Sequence, residues 1–438
     1  MLRLLRYHLQ TAISRLHRAR VMLHSRGWRA LLARVTSAPT TVSSTPPSAA
    51  KPQPEQKIAE LIMPRAMHPM SLLWVEEQLP DPARDSGSLR MFNLLRLLVA
   101  MGHSVHVLTT SRIDDPVHRH RLREIGVHCV STVAKGPARW FERQEISFGA
   151  VIVSRYHLAQ QWFPLVRSVN PDALRILDTV DLHHVRELRE ATLRDSVLMR
   201  LAANATRRHE LHAIQEADVT WVVSDVEHRI LKGELPEAQV EVISNVHELP
   251  PPVNSRESGA HLLFVGGAHH PPNADGVRWL LTEIMPRIFA RRPECKLHLV
   301  GLGLESCAKD LPLPPGIIFH GHLHDLGGLL RSCCVGLAPL RFGAGVKGKI
   351  NQYMAFGLPT IATPNAIEGM HLRHGQDVLV AGDAPDFADA VIRLLDDRHL
   401  WDTLAYQGRE NVRRHFSMES AVPGIQATFM HQRRTRLR

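Results

Sequence analysis

Residues 334–363 read CVGLAPLRFGAGVKGKINQYMAFGLPTIAT: an apolar run, a glycine-rich turn with two lysines, a helical stretch and a second apolar run. Strand, loop, helix and strand in this order form the repeating unit of a parallel α/β sheet. The turn nearly spells a nucleoside-triphosphate loop, G-x-x-x-x-G-K followed by Ser or Thr. Gly343, Gly348 and Lys349 fit, but the closing position is Ile350, which has no hydroxyl to ligate Mg²⁺. A triphosphate site is therefore not expected. A helix that starts after glycines presents free N–H groups and partial positive charge, which suits a phosphate. Arg341 and Lys347 add full charges there. The pattern points to a pyrophosphate held without metal, and no D-x-D triplet accompanies it. The bland alternative is a tight strand–helix turn with solvated cations. With a helix starting near Val346, Lys349 is expected to point away from a ligand and to matter less than Lys347.

The same alternation extends on both sides. SLLWVEE (71–77), HSVHVLTT (103–110), VHCVST, GAVIVS, ALRILDTVD and DVTWVVS form a first series of short apolar runs with helical segments between them. DSGSLR opens one of those helices, with Ser86 or Ser88 as its expected cap. A second series runs from HLLFVGG (261–267) through KLHLVG, GIIFHGH, CVGLAPL and GLPTIAT. The two series imply two doubly wound parallel sheets in tandem, with ligands expected at the carboxyl ends of the strands. The division reads as 1–57 for an extension and linker, 58–250 for a first Rossmann-like domain, 258–400 for a second, and 401–438 for closing helices.

Charge is unevenly distributed. The chain of 438 residues has a net charge of +10, and residues 1–54 hold nine Lys or Arg and no Asp or Glu. The rest of the chain is close to neutral, and no basic stripe with interleaved aromatics occurs in it, so no nucleic-acid partner is expected. Residues 2–35 place Leu5, Leu9, Ile13, Leu16 and Leu23 near helical spacing among arginines. One reading is an amphipathic helix on an anionic membrane face through residues 1–35. The other is a solvated basic extension, or a helix packed on a partner. Either way the segment is expected to be dispensable for folding, because the Ser/Thr/Pro/Ala-rich stretch 36–54 behind it reads as a disordered linker. Five cysteines without metal or redox spacing suit reduced thiols in a cytoplasmic protein. No apolar run reaches membrane-spanning length.

FVGGAHHPPNADGVRWLL, LHLVGLG, APLRFGAGVKGKINQYMAFGLPTIAT and IEGMHLRHGQDVLVAGD together resemble the family-4 (group 1) retaining glycosyltransferases of the GT-B fold. DSGSLRMFNLLRLLVAMGHSVHVLT, ILDTVDLHHVRELREA and VISNVHE are similar to the amino-terminal half of one subgroup, and the resemblance covers residues 70 to 420. It implies two Rossmann-like domains facing across a cleft, with a nucleotide-diphosphate sugar on the second and the acceptor on the first. A last helix would cross back to the first domain. It implies transfer, with retention and without a metal or cofactor, of a hexose-type sugar to a surface glycan or lipid-linked acceptor. The expected location is the cytoplasm or the inner face of the plasma membrane. The rivals are a catalytically silent GT-B module that binds a nucleotide or glycan, and a sugar-nucleotide epimerase of the same fold.

By resemblance, Lys347 and Arg341 stabilise the leaving diphosphate, and His183 with Asp181 orients the acceptor or the sugar ring. Asp181 as the cap of the helix behind it is the competing reading. Gly87 stands in the glycine-rich amino-terminal loop. Gly267, Asn273, Gly301, His322, Gly343, Gly345, Val346, Lys347 and Gln352 complete the expected donor site. Two departures stand out. The family's paired glutamates fall on Ala344 and Gln352, and its Arg and Lys after the first strand of the second domain fall on Gly267 and Pro272. His320, His322 and His324 alternate along FHGHLHD, a spacing open to zinc, although a place for His322 beside the nucleotide base is the preferred reading.

Overall fold

The computed structural model describes residues 7–23, 69–111, 115–130, 136–252 and 259–436. The linker expected over 36–54 lies outside them. The chain divides into two compact units. The first contains residues 1–80, 91–243 and 422–438, and the second 81–90 and 244–421.

Unit 1 is built on seven strands: β1 (Ser71–Glu76), β2 (Ser104–Thr109), β3 (His128–Val130), β4 (Ala150–Ser154), β5 (Leu174–Asp178), β6 (Val219–Val222) and β7 (Val240–Val242). Their order is β3-β2-β1-β4-β5-β6-β7 and every pairing is parallel. Helices return the chain after each strand, so both faces are covered and the strands read as unbroken apolar runs. AVIVS of β4 is buried at every position. Trp74, Trp162 and Trp221 are fully buried, and the Trp74 and Trp221 rings meet edge-on at 5.9 Å. Buried indole N–H groups usually find a partner, and two of these three do, Trp162 Nε1 being without one among the described residues. Trp74 Nε1 donates to Ser154 Oγ at 2.9 Å and Trp221 Nε1 to Thr428 Oγ1 at 2.9 Å.

Unit 2 repeats the plan with β8 (His261–Val265), β9 (Lys296–Val300), β10 (Ile317–Gly321), β11 (Val335–Ala338), β12 (Thr360–Ala362) and β13 (Leu379–Val380). The order is β10-β9-β8-β11-β12-β13, again parallel throughout. The helix Gly348–Ala355 is fastened beneath this sheet by Tyr353. The Val265 N–H donates to the Tyr353 hydroxyl oxygen at 2.8 Å, and a Cβ on Gly336 would lie only 2.4 Å from the Tyr353 ring. Close backbone–ring packing is the reason for glycine in β11. Three imidazoles cross the other half of the sheet. His261 Nδ1 lies 2.9 Å from His298 Nε2, and His298 Nδ1 lies 2.8 Å from His320 Nε2. His320 is therefore turned into this ladder, while His322 and His324 stack edge-on on each other at 4.9 Å.

The helix over residues 7–23 corrects the expectation of a dispensable extension. It packs on unit 1 with its polar side inward. Tyr7 is buried, edge-on to Trp162 at 5.8 Å. Thr11 Oγ1 donates to Gln161 Oε1 at 3.1 Å, His17 Nε2 lies 3.2 Å from Thr206 Oγ1, and Arg18 pairs with Glu77 at 2.5 Å. Leu9, Ile13, Leu16 and Leu23 are 60%, 49%, 71% and 42% exposed. Hydrogen bonds and one aromatic anchor hold this helix, and its apolar stripe faces away. Among the described residues, no helix is long and apolar enough to cross a membrane.

Candidate functional site

In a doubly wound sheet the chain crosses over in opposite directions on either side of one strand pair, which leaves a crevice at the carboxyl ends. In unit 2 that pair is β8 and β11. Two loops emerge there, Gly266–Gly267 after β8 and Pro339–Lys347 after β11. The first is shaped by glycines. Gly266 has φ +149° and Gly301 φ +146°, and a Cβ on Gly301 would lie 2.5 Å from the Gly266 carbonyl carbon and oxygen. Only hydrogen fits between these two turns. A Cβ on Gly266 would in turn meet Asn273 Nδ2 at 2.6 Å and Lys349 Nζ at 2.9 Å, so this glycine leaves room for a buried amide and ammonium. Asn273 is itself buried and donates to Gly267 O at 3.1 Å.

The second loop carries Gly343 (φ +150°) and Gly345 (φ +66°) and ends on Lys347, the N-cap of Gly348–Ala355. The Lys347 ammonium is buried and donates to Gly345 O at 2.6 Å and Ala344 O at 3.2 Å. It folds back on its own turn. Val346 is buried, and its carbonyl accepts from Asn245 Nδ2 at 3.3 Å. The helix begins at Gly348, later than the sequence suggests. At about 100° per residue, that shift re-aims the side chains of its first turn. Lys349 consequently turns in toward β8 instead of away. Its Nζ donates to Asn273 Oδ1 at 2.6 Å and lies 4.1 Å from the centroid of the Phe264 ring. Burial, reinforced by Lys347, lowers the Lys349 ammonium to about 7.

Arg341 is placed differently from the expectation. Its guanidinium makes a bidentate pair with Asp275, at 2.9 and 2.6 Å, and lies over Trp279 at 5.6 Å. A carboxylate already meets its charge, so it does not join the lysines. Gln352, on the helix behind Lys349, makes no side-chain hydrogen bond among the described residues. His322 is not bonded to the Asn273–Lys349 group. Gly87 lies in the segment 81–90, grouped with this unit, and its neighbour Ser86 packs so tightly on Gly348 that a Cβ there would lie 2.3 Å from Ser86 Cβ. The cap of the helix Ser86–Ala100 is Asp85, whose Oδ1 accepts the Ser88 N–H at 2.8 Å, and not Ser86 or Ser88.

Unit 1 gathers charges at the carboxyl ends of β1, β4 and β5. Glu76 pairs with Arg155 at 2.6 Å, and Glu77 meets Arg18 at 2.5 Å and His157 at 3.0 Å. Burial works against the Glu77 charge, yet His157, Arg18 and Arg155 hold its carboxyl well below the usual carboxylate range. Arg155 and Val180 both have φ +65°. A β-branched residue in that region is strained, and such strain gathers at functional positions. Beside Val180, His183 Nδ1 lies 3.4 Å from Asp181 and 3.6 Å from Glu210, with Tyr156 edge-on at 5.3 Å. Burial opposes the imidazolium, but Asp181 and Glu210 outweigh it and raise His183 above its ordinary value.

Asp181 itself is engaged by Arg186 and does not cap the helix His183–Leu193, whose N-cap is Leu182. Two distant carboxylates cap it instead. Glu227 accepts the Leu182 N–H at 3.0 Å, and Glu210 accepts those of His183 and His184 at 3.1 Å each. The signals that sequence reading missed are therefore Lys349, Glu210 and Glu227. The first was legible as a second lysine at the helix start. The other two are ordinary helical glutamates until the fold brings them round.

Residues 259–397 match the family model described as Glycosyl transferases group 1. A curated relative, an uncharacterized 44.6 kDa protein in the cps region of Klebsiella pneumoniae, is 26% identical over 140 residues, covering 30% of this chain and 36% of that protein. The chain thus spans about a third of that relative's length. Among solved structures, sucrose-phosphate synthase from Thermosynechococcus elongatus aligns with a TM-score of 0.64 at 17% identity, over 84% of this chain and 100% of that one. HepE of Anabaena, solved in complex with UDP and glucose, aligns at 0.63 and 12%, over 83% and 100%. TarM aligns at 0.53 and 12%, over 64% of this chain and 54% of that one. Over residues 259–397 the chain is similar to the group 1 glycosyl transferases, and its two parallel-sheet units are those of the GT-B fold.

Proposed function

We propose that the protein is a glycosyltransferase that moves a hexose from a nucleotide-diphosphate donor to a hydroxyl acceptor, with retention and without a metal or cofactor. One observation carries the reading: a glycine-lined turn with one buried and one half-buried lysine lies at the switch point of the unit that matches the family model. Fixed cations and helix N–H groups that are already oriented stabilise the charge growing on a leaving phosphate without reorganisation. Lys347 shapes the turn by tying down two of its carbonyls. In such a site the leaving phosphate draws the acceptor proton on the same face of the sugar. That dispenses with the carboxylate pair of a glycosidase and tolerates Ala344 where the family has glutamate. His183, with its raised affinity for a proton, would donate to a hydroxyl or sugar oxygen on the acceptor side.

A panel of UDP-, GDP- and dTDP-sugars tests this, with binding, transfer and slow hydrolysis measured in EDTA. Saturable binding of one donor and transfer unaffected by EDTA are expected. Binding without transfer or hydrolysis would leave a silent binding module. Isomerisation of the donor without transfer would leave an epimerase.

A peripheral place at an anionic bilayer, with a lipid-linked or surface-glycan acceptor, belongs to the same proposal. It is supported by the exposed stripe Leu9, Ile13 and Leu16 on a helix within a segment that has basic but no acidic residues. Each Lys or Arg near an anionic surface contributes about 1 kcal/mol, and salt screens it. Because Tyr7 is part of the core, point changes are a cleaner probe than truncation. Leu9→Ser with Leu16→Ser should reduce co-sedimentation with phosphatidylglycerol vesicles at least roughly tenfold, with melting temperature unchanged. Equal sedimentation of variant and wild type would refute the membrane placement.

A further inference from the structure

The Lys349 side chain is partly buried and its ammonium sits among neutral groups. Asn273 Oδ1 accepts one of its protons, the Phe264 face covers it at 4.1 Å, and the Gly266 backbone closes one side. Among the described residues no carboxylate pairs with it. Asp275, two residues beyond Asn273, is held by Arg341. From its own helix and turn the groups nearby are Lys347, of like charge, and Tyr353, whose hydroxyl is bonded to the Val265 N–H. Even a partly buried charge without a counter-charge is costly, which makes the site one that an anion would relieve.

A second observation lies beside Lys347. Asn365 Nδ2 is buried with no acceptor, 3.6 Å from where a Gly343 Cβ would be, while Lys347 Nζ is 3.7 Å from the same point. A buried donor without an acceptor costs free energy as well. The Lys349 ammonium and the Asn365 amide, both incompletely satisfied, each neighbour the lysine that closes one glycine turn at the end of a parallel sheet. Both lack what an acceptor-only anion supplies.

We propose that Lys349, rather than Arg341, is the principal cationic seat for the diphosphate of the donor, with Asn365 donating a hydrogen bond to the same anion. This rests on the glycosyltransferase reading and adds the residue that discriminates a diphosphate from a neutral sugar. Nothing in the family pattern of paired glutamates, or in the Arg and Lys that fall on Gly267 and Pro272, assigns that role to position 349. One consequence separates it from a merely structural lysine. Burial leaves the free ammonium at about 7, and an adjacent phosphate raises it. At pH 7.5 the complex therefore takes up a proton on binding. Below pH 6 the lysine is already charged and the uptake vanishes. Affinity weakens as pH rises from 7 toward the value of the complex.

The test uses the full chain with UDP, GDP, dTDP and inorganic pyrophosphate as probes in titration calorimetry, at pH 7.5 and 5.8, in buffers of different ionisation enthalpy. At pH 7.5 wild type should take up more protons than Lys349→Met and at pH 5.8 the same number, a difference in which the probes' own phosphate titration near pH 6 cancels. Lys349→Met should weaken binding about 10- to 100-fold and lose the extra uptake, with a melting temperature at pH 5.8 equal to or above wild type, because an ammonium without a counter-charge is gone. Asn365→Ala should weaken binding less and keep the uptake. If Lys349→Met binds UDP as wild type does, or the two exchange the same number of protons at pH 7.5, the seat is elsewhere and the proposal falls while the glycosyltransferase reading stands. A lower melting temperature with unchanged affinity assigns Lys349 to the core and overturns the proposal in the same way. If wild type binds none of the four probes, both readings fall together.

Discussion

Glu210→Ala is expected to destabilise unit 1 by about 3–5 kcal/mol, a fall in melting temperature on the order of 10 °C. The reason is the number of groups that depend on one buried carboxylate. The backbone N–H groups of His183 and His184 donate to it at 3.1 Å each, and the His184 imidazole lies 2.6 Å away. These are orphan donors of a helix start, and alanine leaves them buried without an acceptor. The carboxyl is held down at about 2, because bonds from both histidines outweigh the burial that pushes it up. Glu210→Gln keeps one acceptor oxygen and turns an N–H₂ toward other donors, so it should lose less. Thermal unfolding followed by circular dichroism orders the three proteins. An alanine variant melting within a degree of wild type would show that water takes over the cap, and that this carboxylate is not what fastens the helix. The same substitution removes one of the charges that raise His183, so any pH dependence of transfer assigned to His183 should move to lower pH.

Gly301→Ala is expected to weaken nucleotide binding by at least tenfold and to cost about 2–4 kcal/mol of stability. The added carbon would lie 2.5 Å from the Gly266 carbonyl carbon and oxygen and 2.8 Å from Gly267 N. Backbone cannot step aside as a flexible side chain can, so the turn that frames Asn273 and Lys349 has to shift. The φ of +146° adds strain for any residue with a side chain. Gly382→Ala is the control: a Cβ there meets nothing within 4 Å. Comparable loss in both variants, or wild-type affinity in Gly301→Ala, would show that the two glycine turns have slack.

The sheets were legible because parallel strands buried on both faces leave continuous apolar runs, as in AVIVS, and because Gly266–Gly267 and Gly343–Gly345 announce turns after them. The location of the unit 2 site came with that topology. What each side chain does was less legible, for reasons that differ from residue to residue. Lys349 depended on where a helix starts, and a shift of two residues carried it from the outside to the inside of the turn. Arg341 looked available until the fold set Asp275, 66 positions away in the chain, against it. Asp181 has the chemistry of a cap and the right position, but Arg186 takes it, and Glu210 and Glu227 do the capping from other helices. The helix over 7–23 shows the limit of periodicity. Leu9, Ile13, Leu16 and Leu23 fall on one exposed stripe as their spacing suggests, with Leu5 outside the described residues, but the polar contacts that seat the opposite side on unit 1 leave no periodic signal.

The residues 422–436 have a consequence for how the molecule is made. They are grouped with unit 1, where Thr428 satisfies the buried Trp221 indole, Phe429 packs on the His103 ring at 5.1 Å, and Gly424 lies close against Ile243 and Val242. Chains emerge from the ribosome amino terminus first, and domains generally fold as they appear. All of unit 2 must be synthesised before these residues exist. Until then Trp221 has an unpaired N–H and the Ile243 end of the sheet lacks its cover. Unit 1, begun first, is the one finished last.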